Sequence, residues 1–360
     1  MSPEASDIIN TEIVQNCPLC GSVGQPLYDS IRDHVFGTTG QWSLVQCSEG
    51  HCELLWLSPR PTIQDLPKAY KSYYTHTASI QSANRLRLLL RQLRRNFIKS
   101  YVECRFGYIE ASAIRKFVMG AVVRLFPAGA DAYAINGMFL PATNAAHRLI
   151  EVGCGNGSML TLMRDLGWEV NGLEFDPTCK QLVEMHGISC SIGDLRDQHY
   201  PDDTFDAIYT GNVIEHLIDP HNFVAECARV LKTGGRFVAL TPNSASLGHA
   251  YYKCDWRGLE PPRHLSLFNL KNLSKLLLDN GFEIEIIRTT NRGAWYIFGM
   301  SKAIRKARLH VGKPLDSRVY LLSISGLIRQ FSGRLIQAIF PARGEEILVV
   351  AVKKRNVNYE

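Results

Sequence analysis

From residue 148 onward the chain alternates short apolar runs with stretches in which apolar positions recur every three or four residues. The runs predict strands at Arg148 to Val152, Glu169 to Leu173, Ser189 to Ile192, Phe205 to Thr210, Arg236 to Leu240, Phe282 to Thr289 and Glu346 to Val352. Strands alternating with helical stretches imply an α/β domain, a parallel sheet covered by helices. The intervals between the first five strands suit crossover helices, whereas about fifty residues separate the last two. That interval is expected to be a helical insertion at about 295–340, with Leu327, Ile328, Phe331, Leu335 and Ile339 as its apolar stripe.

Upstream the pattern changes twice. Residues 1–62 hold paired cysteines, several Gly and Pro and short runs such as Leu54 to Leu57, the pattern of a small loop-rich module. Residues 63–147 turn helical. There Ile114, Phe117, Val118, Ala121, Val122 and Leu125 fall at three- and four-residue spacing, Arg115, Lys116 and Arg124 lie elsewhere on the helix, and Pro127 ends it. The expected domains are therefore 1–62, a connector at 63–147 and the α/β domain at 148–353.

The first strand of that domain runs into Glu151-Val-Gly-Cys-Gly-Asn-Gly157. Glycines here let the backbone take positive φ and approach a ligand, and the following helix offers free N–H groups at its positive end. Nicotinamide and flavin enzymes carry the same turn, and a tight structural turn reads alike. The context decides between them. Glu174 follows roughly 20 residues after the glycines, where a carboxylate can accept both hydroxyls of a ribose, and Asp194 ends the third strand. Carboxyl ends of neighbouring parallel strands meet at one crevice, so the three acids converge, which suits a cationic adenosine-containing ligand better than a pyrophosphate.

On these residues the chain resembles the class I S-adenosylmethionine-dependent methyltransferases. The resemblance covers about 148–293 and the closing strand at 346–353, through the glycine motif, Glu174-Phe175, Gly193-Asp194-Leu195, Phe205 to His216 and Val230 to Phe237. It implies a Rossmann-like sheet of seven strands with the last antiparallel. It also implies cofactor contacts from Glu151, Gly153, Gly155, Asn156, Gly157, Glu174, Phe175, Asp194, Leu195 and Asn212, with Glu151 near the methionine end, Glu174 on the ribose, Phe175 on adenine and Asp194 on its amino group.

Methyl transfer from a sulfonium has an excellent leaving group, so the protein mainly aligns, desolvates and deprotonates the acceptor. Glu215-His216, just past the fourth strand, offers a general base in His216, or else a pair that ties loops together. Asp255-Trp-Arg-Gly258 and Pro261 to Phe268 resemble a loop of small-molecule methyltransferases with a Pro-Arg-His-Leu segment. That resemblance implies His264 acting on the acceptor, Arg263 holding an anionic group and Trp256 forming an apolar wall, unless Arg263 and His264 only tie the loop down. Some oxygen-methylating relatives bind a divalent metal through Glu-x-x-Glu-His and a later His. Asn212 replaces the first acid here, and one carboxylate holds a hard cation less well, so no metal is expected there.

Cys17, Cys20, Cys47 and Cys52 form Cys-x2-Cys and Cys-x4-Cys knuckles 26 residues apart. Such knuckles can close a structural zinc site, with His51 an alternative ligand. The other six cysteines read as small buried apolar residues. The acids Asp29, Asp33, Glu49 and Glu53 around the knuckles disfavour a nucleic-acid surface. Similar modules in methyltransferases acting on sugars and other metabolites help cover the active site, and Tyr73-Tyr74 would then lie over the cofactor.

The net charge of +6 hides a division: residues 75–128 hold ten Lys or Arg against two acids, and 300–340 eight against one. These segments are solvated helix faces, binders of an anionic acceptor, or peripheral contacts to an anionic membrane. The N-terminus lacks a signal-like pattern, so a cytoplasmic protein is expected. The reading is a monomeric or weakly dimeric methyltransferase with S-adenosylmethionine as cofactor, structural zinc, and a small-molecule acceptor such as a sugar or a lipid-linked or isoprenoid intermediate. A non-catalytic S-adenosylmethionine-binding protein and an NAD-dependent Rossmann enzyme stand as alternatives.

Overall fold

In Arg148–Val152 only the first residue retains partial exposure, as expected of a strand covered on both faces. The computed structural model describes residues 8–71, 85–125, 129–143, 147–309 and 338–354. The expected stripe from Leu327 to Leu335, the Tyr73-Tyr74 pair and Pro127 lie outside the described residues.

The N-terminal strands are β1 (Thr11–Glu12), β2 (Gly24–Ile31), β3 (Trp42–Cys47), β4 (Leu55–Leu57) and β5 (Arg60–Pro61), followed by helices α1 (Arg85–Phe106), α2 (Ala113–Leu125) and α3 (Gly129–Ala134). Then come β6 (Arg148–Val152), α4 (Ser158–Asp165), β7 (Glu169–Glu174), α5 (Pro177–Glu184), β8 (Ser189–Ile192), β9 (Phe205–Gly211), α6 (Pro220–Val230) and β10 (Leu231–Pro242). The chain continues through α7 (Leu247–Tyr252), β11 (Ser266–Leu267), α8 (Leu270–Asp279), β12 (Phe282–Thr290), α9 (Ala294–Leu309) and β13 (Glu346–Lys353). All seven expected strands of the α/β domain form. The largest difference is β10, which begins at Leu231 rather than Arg236, the Gly234-Gly235 pair being absorbed into the strand.

These seven strands make one Rossmann-like sheet in the order β12-β13-β10-β9-β6-β7-β8, mostly parallel with the last strand antiparallel. Its parallel pairs set Glu151 opposite Gly172 and Tyr209. A Cβ at Gly172 would fall 2.8 Å from Cys154 Sγ and 3.2 Å from Cys190 Sγ, so glycine is the residue that fits there. Local signals agree with the topology. Asp176 caps α5 by accepting from the Thr178 N–H at 2.7 Å, with Pro177 at the first helical position, and Asn269 and Asn272 form a capping box at α8.

Two compact units divide the chain. One comprises Met1–Tyr73, Gly211–Ala225 and Ala239–Val349; the other comprises Tyr74–Thr210, Glu226–Val238 and Val350–Glu360. In the first, β2, β3 and β4 form an antiparallel sheet extended by β11, where Ser266 pairs with Trp56 and Leu267 with Leu55. Trp42, Leu44, Leu55 and Leu57 share one core with Tyr252, Trp256, Leu259, Leu265 and Leu267. So small a module, built of short strands, has little core of its own and completes it with the later loop. In the second unit, α1, α2 and α3 pack on one another. The Trp168 indole donates to the Tyr108 hydroxyl at 2.8 Å, which donates to the Leu140 carbonyl at 3.1 Å.

Candidate functional site

In the second unit the β6 strand carries, one residue before its end, a carboxyl group with an oxygen that finds no partner. Glu151 is buried, and its Oε2 accepts no hydrogen bond. Burial first, then the nearby Glu174, pushes its carboxyl well above the ordinary range. The turn after it is held by the Gly153 N–H donating to the Leu173 carbonyl at 2.8 Å, and Gly153, Gly155 and Gly157 all have positive φ. Nothing lies within 4 Å of where a Gly155 Cβ would stand, so open space faces the turn there. Gly157 begins α4 without a side-chain cap, which leaves first-turn N–H groups available. Asn156 is exposed and its Oδ1 accepts from the Ser158 N–H at 3.1 Å.

Glu174 lies beside the turn and supports it. Its Oε2 accepts from the Gly155 N–H and its Oε1 from the Phe175 N–H, both at 2.8 Å. The carboxylate has capacity for further donors, since its two oxygens offer about four acceptor positions. Phe175 is exposed, as an aromatic awaiting a flat ligand would be. Asp194 Oδ1 accepts from the Arg196 N–H at 3.0 Å, and Leu195 is buried beneath it. An unpartnered buried carboxylate beside an open glycine cradle fits a ligand carrying positive charge, and S-adenosylmethionine carries both an ammonium and a sulfonium.

The first unit builds a second cluster. Asn212 follows β9 at φ 56°, exposed, donating its N–H to the Leu240 carbonyl at 2.7 Å. The 3-10 turn Ile214–His216 then sets Glu215 and His216 side by side. Glu215 is fully buried; Oε2 accepts from the Thr241 hydroxyl at 2.9 Å, while Oε1 has no partner. Burial pushes its carboxyl up to about 8. His216 Nδ1 lies 3.0 Å from the Arg263 carbonyl and 3.0 Å from the Tyr70 hydroxyl, and His264 Nδ1 lies 2.7 Å from the Gly258 carbonyl. A carbonyl can only accept, so both imidazoles are assigned a proton on Nδ1 and a lone pair on Nε2.

The two rings meet edge to face with centroids 4.7 Å apart, and donor atoms of Glu215, His216 and His264 lie within 4.8 Å of one another. Burial lowers the pKa of both histidines, that of His264 to about 3, so each is neutral at ordinary pH.

Behind this trio stand groups that the sequence did not single out. Glu260 is buried; burial would raise its carboxyl, but Arg257, His264 and Arg263 together hold it below the usual carboxylate range. Its position three and four residues ahead of Arg263 and His264 was the available signal. The expectation that Arg263 holds an anionic acceptor is corrected. Its side chain is wholly buried, with Nε on Glu260 at 3.0 Å, Nη1 on the Thr38 hydroxyl at 2.9 Å and the Ala69 carbonyl at 3.0 Å, and Nη2 on Asp33 at 2.9 Å. Asp33 also accepts from the Val35, Phe36 and Thr38 N–H groups, so an acid among those noted around the knuckles ties down this loop. Trp256 is likewise buried in the shared core, its indole donating to Glu345 at 2.9 Å.

The cysteine knuckles close on themselves. Cys17 Sγ lies 3.7 Å from Cys52 Sγ and Cys20 Sγ 3.4 Å from Cys47 Sγ, and the four sulfurs lie within 4.8 Å of one another. The Cys52 contact draws the Cys17 thiol down to about 5. His51 points away, 61 % exposed and 3.7 Å from Glu49, so Cys52 completes the set. The Asn269 and Asn272 side chains donate to the Cys52 carbonyl at 3.4 and 2.8 Å, tying this knuckle to α8. Of the other six cysteines, five are buried and Cys254 is half-buried. Cys154 and Cys190 meet at 3.8 Å.

Residues 122–286 match the family model described as a methyltransferase domain. A probable S-adenosylmethionine-dependent methyltransferase of Mycolicibacterium smegmatis is 34% identical over 39% of this chain and 54% of its own length. A ubiquinone biosynthesis O-methyltransferase of Xanthomonas oryzae is 33% identical over 28% of this chain and 44% of its own. The chain thus spans about half the length of these curated relatives. Among solved structures, an S-adenosylmethionine-dependent methyltransferase from Mesorhizobium loti aligns with 63% of this chain and all of its own, at TM-score 0.43 and 19% identity. With the strand order, the glycine turn and the family match in agreement, the chain carries a class I S-adenosylmethionine-dependent methyltransferase domain.

Proposed function

We propose that this protein transfers a methyl group from S-adenosylmethionine to the ionisable hydroxyl of a small-molecule acceptor. The observation that carries the reading is the unpartnered, buried Glu151 carboxylate beside the open turn at Gly155. A nicotinamide dinucleotide would bring its pyrophosphate against that acid, whereas a cationic donor satisfies it. Glu151, the glycine turn and the first turn of α4 would hold the methionine portion, Glu174 and Phe175 the ribose and adenine, with Asp194 and Leu195 completing the contacts. When bound, this donor supplies an electrophilic methyl group with a neutral thioether as leaving group.

The protein's own chemistry is then proton removal in a dry place. His216, neutral and with its lone pair on Nε2, is the base, oriented by the Arg263 carbonyl and the Tyr70 hydroxyl. The Glu215 carboxyl and the His264 ring lie beside it, donor atoms of the three within 4.8 Å of one another. The ubiquinone biosynthesis O-methyltransferases among the relatives support a hydroxyl acceptor on a small molecule, an isoprenoid-type compound ahead of a sugar. The four cysteines would hold structural zinc, their sulfurs all lying within 4.8 Å of one another.

Calorimetry with S-adenosylmethionine, its demethylated product and NAD tests the donor assignment. Both sulfur compounds are expected to bind and NAD to fail, and Glu174→Ala is expected to weaken binding by about tenfold or more, the scale of a lost hydrogen bond to a charged group. NAD binding in preference to the sulfur compounds, or unaltered affinity in Glu174→Ala, would overturn it.

A further inference from the structure

The N-terminal half of the apolar stripe that predicts α2 does not pack inward. Ile114 is 76% exposed, Phe117 75% and Val118 49%, and on α1 Leu89, Leu90 and Leu93 are each more than half exposed. At these spacings each set falls on a single helix face. Four and eight residues on from Leu93, the same face of α1 turns inward, with Phe97 half-buried against Tyr133 and Tyr101 buried. Thus the C-terminal half of α1 is anchored while its N-terminal half presents leucines to the outside. Isolated exposed apolar residues are ordinary, but six on two helices in contact with each other call for an occupant.

We infer that these two stripes dock on an anionic lipid bilayer surface, an assignment independent of the methyl-transfer reading. Charge chooses the occupant. Arg91, Arg94, Arg95, Arg115 and Lys116 are exposed around the stripes, Arg95 being paired with Asp165, whereas Glu103 is the sole acid of α1 and α2 has none. A basic polar face beside Leu, Ile and Phe is the composition of helices that lie in the plane of a membrane interface, apolar side chains among the acyl chains and cations at the headgroups. A nucleic acid would engage the cations but leave the aliphatic stripe in water. Among the described residues no single helix is long and apolar enough to cross a membrane, while one bent pair, Ala113–Arg124 with Gly129–Gly137, passes by length and composition alone.

The test is cosedimentation of the full chain with vesicles of mixed phosphatidylglycerol and phosphatidylcholine, and with phosphatidylcholine alone, at low and high salt. Binding is expected to the anionic vesicles, weaker at high salt and weaker on the neutral ones. The double variant Leu93→Ser/Phe117→Ser should lose at least about tenfold in vesicle affinity, two buried side chains being removed. Arg115→Gln/Lys116→Gln should lose about fivefold per cation and show a shallower salt dependence. Because all four positions are exposed, both variants should fold and bind the methyl donor as the parent does. Failure to bind anionic vesicles at low salt would overturn the inference, as would vesicle binding untouched by either variant. Self-association that Leu93→Ser/Phe117→Ser abolishes, without vesicle binding, would assign the face to a second copy and also overturn it.

Discussion

Glu151 and Glu260 are both buried carboxylates, one at the end of β6 in the second unit and one in the long loop of the first. Glu260 is surrounded by Arg257, Arg263 and His264 and held ionised below the ordinary range, while Glu151 has an oxygen with no partner and is pushed upward. A charge whose neighbours all come from the chain belongs to the scaffold; one left unpaired in a low dielectric awaits something the chain does not supply. The same contrast separates Arg263, engaged on every side, from the open turn at Gly155.

The largest effect is expected where the scaffold has least core of its own. Metal chelation, or Cys52→Ser, should unfold the module at residues 8–71, since structural zinc contributes on the order of 10 kcal/mol in small domains. Hydrogen exchange across that module, with metal analysis of the purified chain, checks it; full protection in metal-free protein would break the scaffold assignment. Next, Arg263→Ala should cost about 3–5 kcal/mol in urea denaturation, because Asp33 and Glu260 each lose a buried cationic partner. Unchanged stability, with acceptor binding lost instead, would return Arg263 to the ligand side of the comparison. The smallest effect belongs to Glu151→Gln. Donor affinity should fall by about 1.5–3 kcal/mol, the scale of a charged hydrogen bond, while stability is kept, since Oε2 accepts no hydrogen bond that the amide would lose. A variant that binds donor normally and unfolds readily would place Glu151 in the scaffold.

Legibility from the sequence followed contact range. The seven strands, the glycine turn, the Asp176-Pro177 helix start and the cysteine pairs were readable because periodicity, caps and short spacings are local. The partners of Arg263 were not, since Asp33, Thr38 and Ala69 lie about two hundred residues away in the chain. Nor was β11 readable: two residues of ordinary loop become a strand because β4 offers them an edge. The periodicity of α2 correctly marked a helix with an apolar face, yet was silent on whether that face turns inward.

The residues by themselves determined the class of the fold and the place of its glycine turn, because a Rossmann-like sheet and that turn are written in contiguous patterns of hydrophobicity and backbone freedom. Tertiary structure alone decided which polar groups would be consumed internally. It closed Cys52 rather than His51 into the knuckle, committed Arg263 to the scaffold, and left Glu151 unpartnered and Phe117 exposed. Whether a buried charge is paired or an apolar face covered depends on side chains brought together from distant parts of the chain, and no local pattern encodes that meeting.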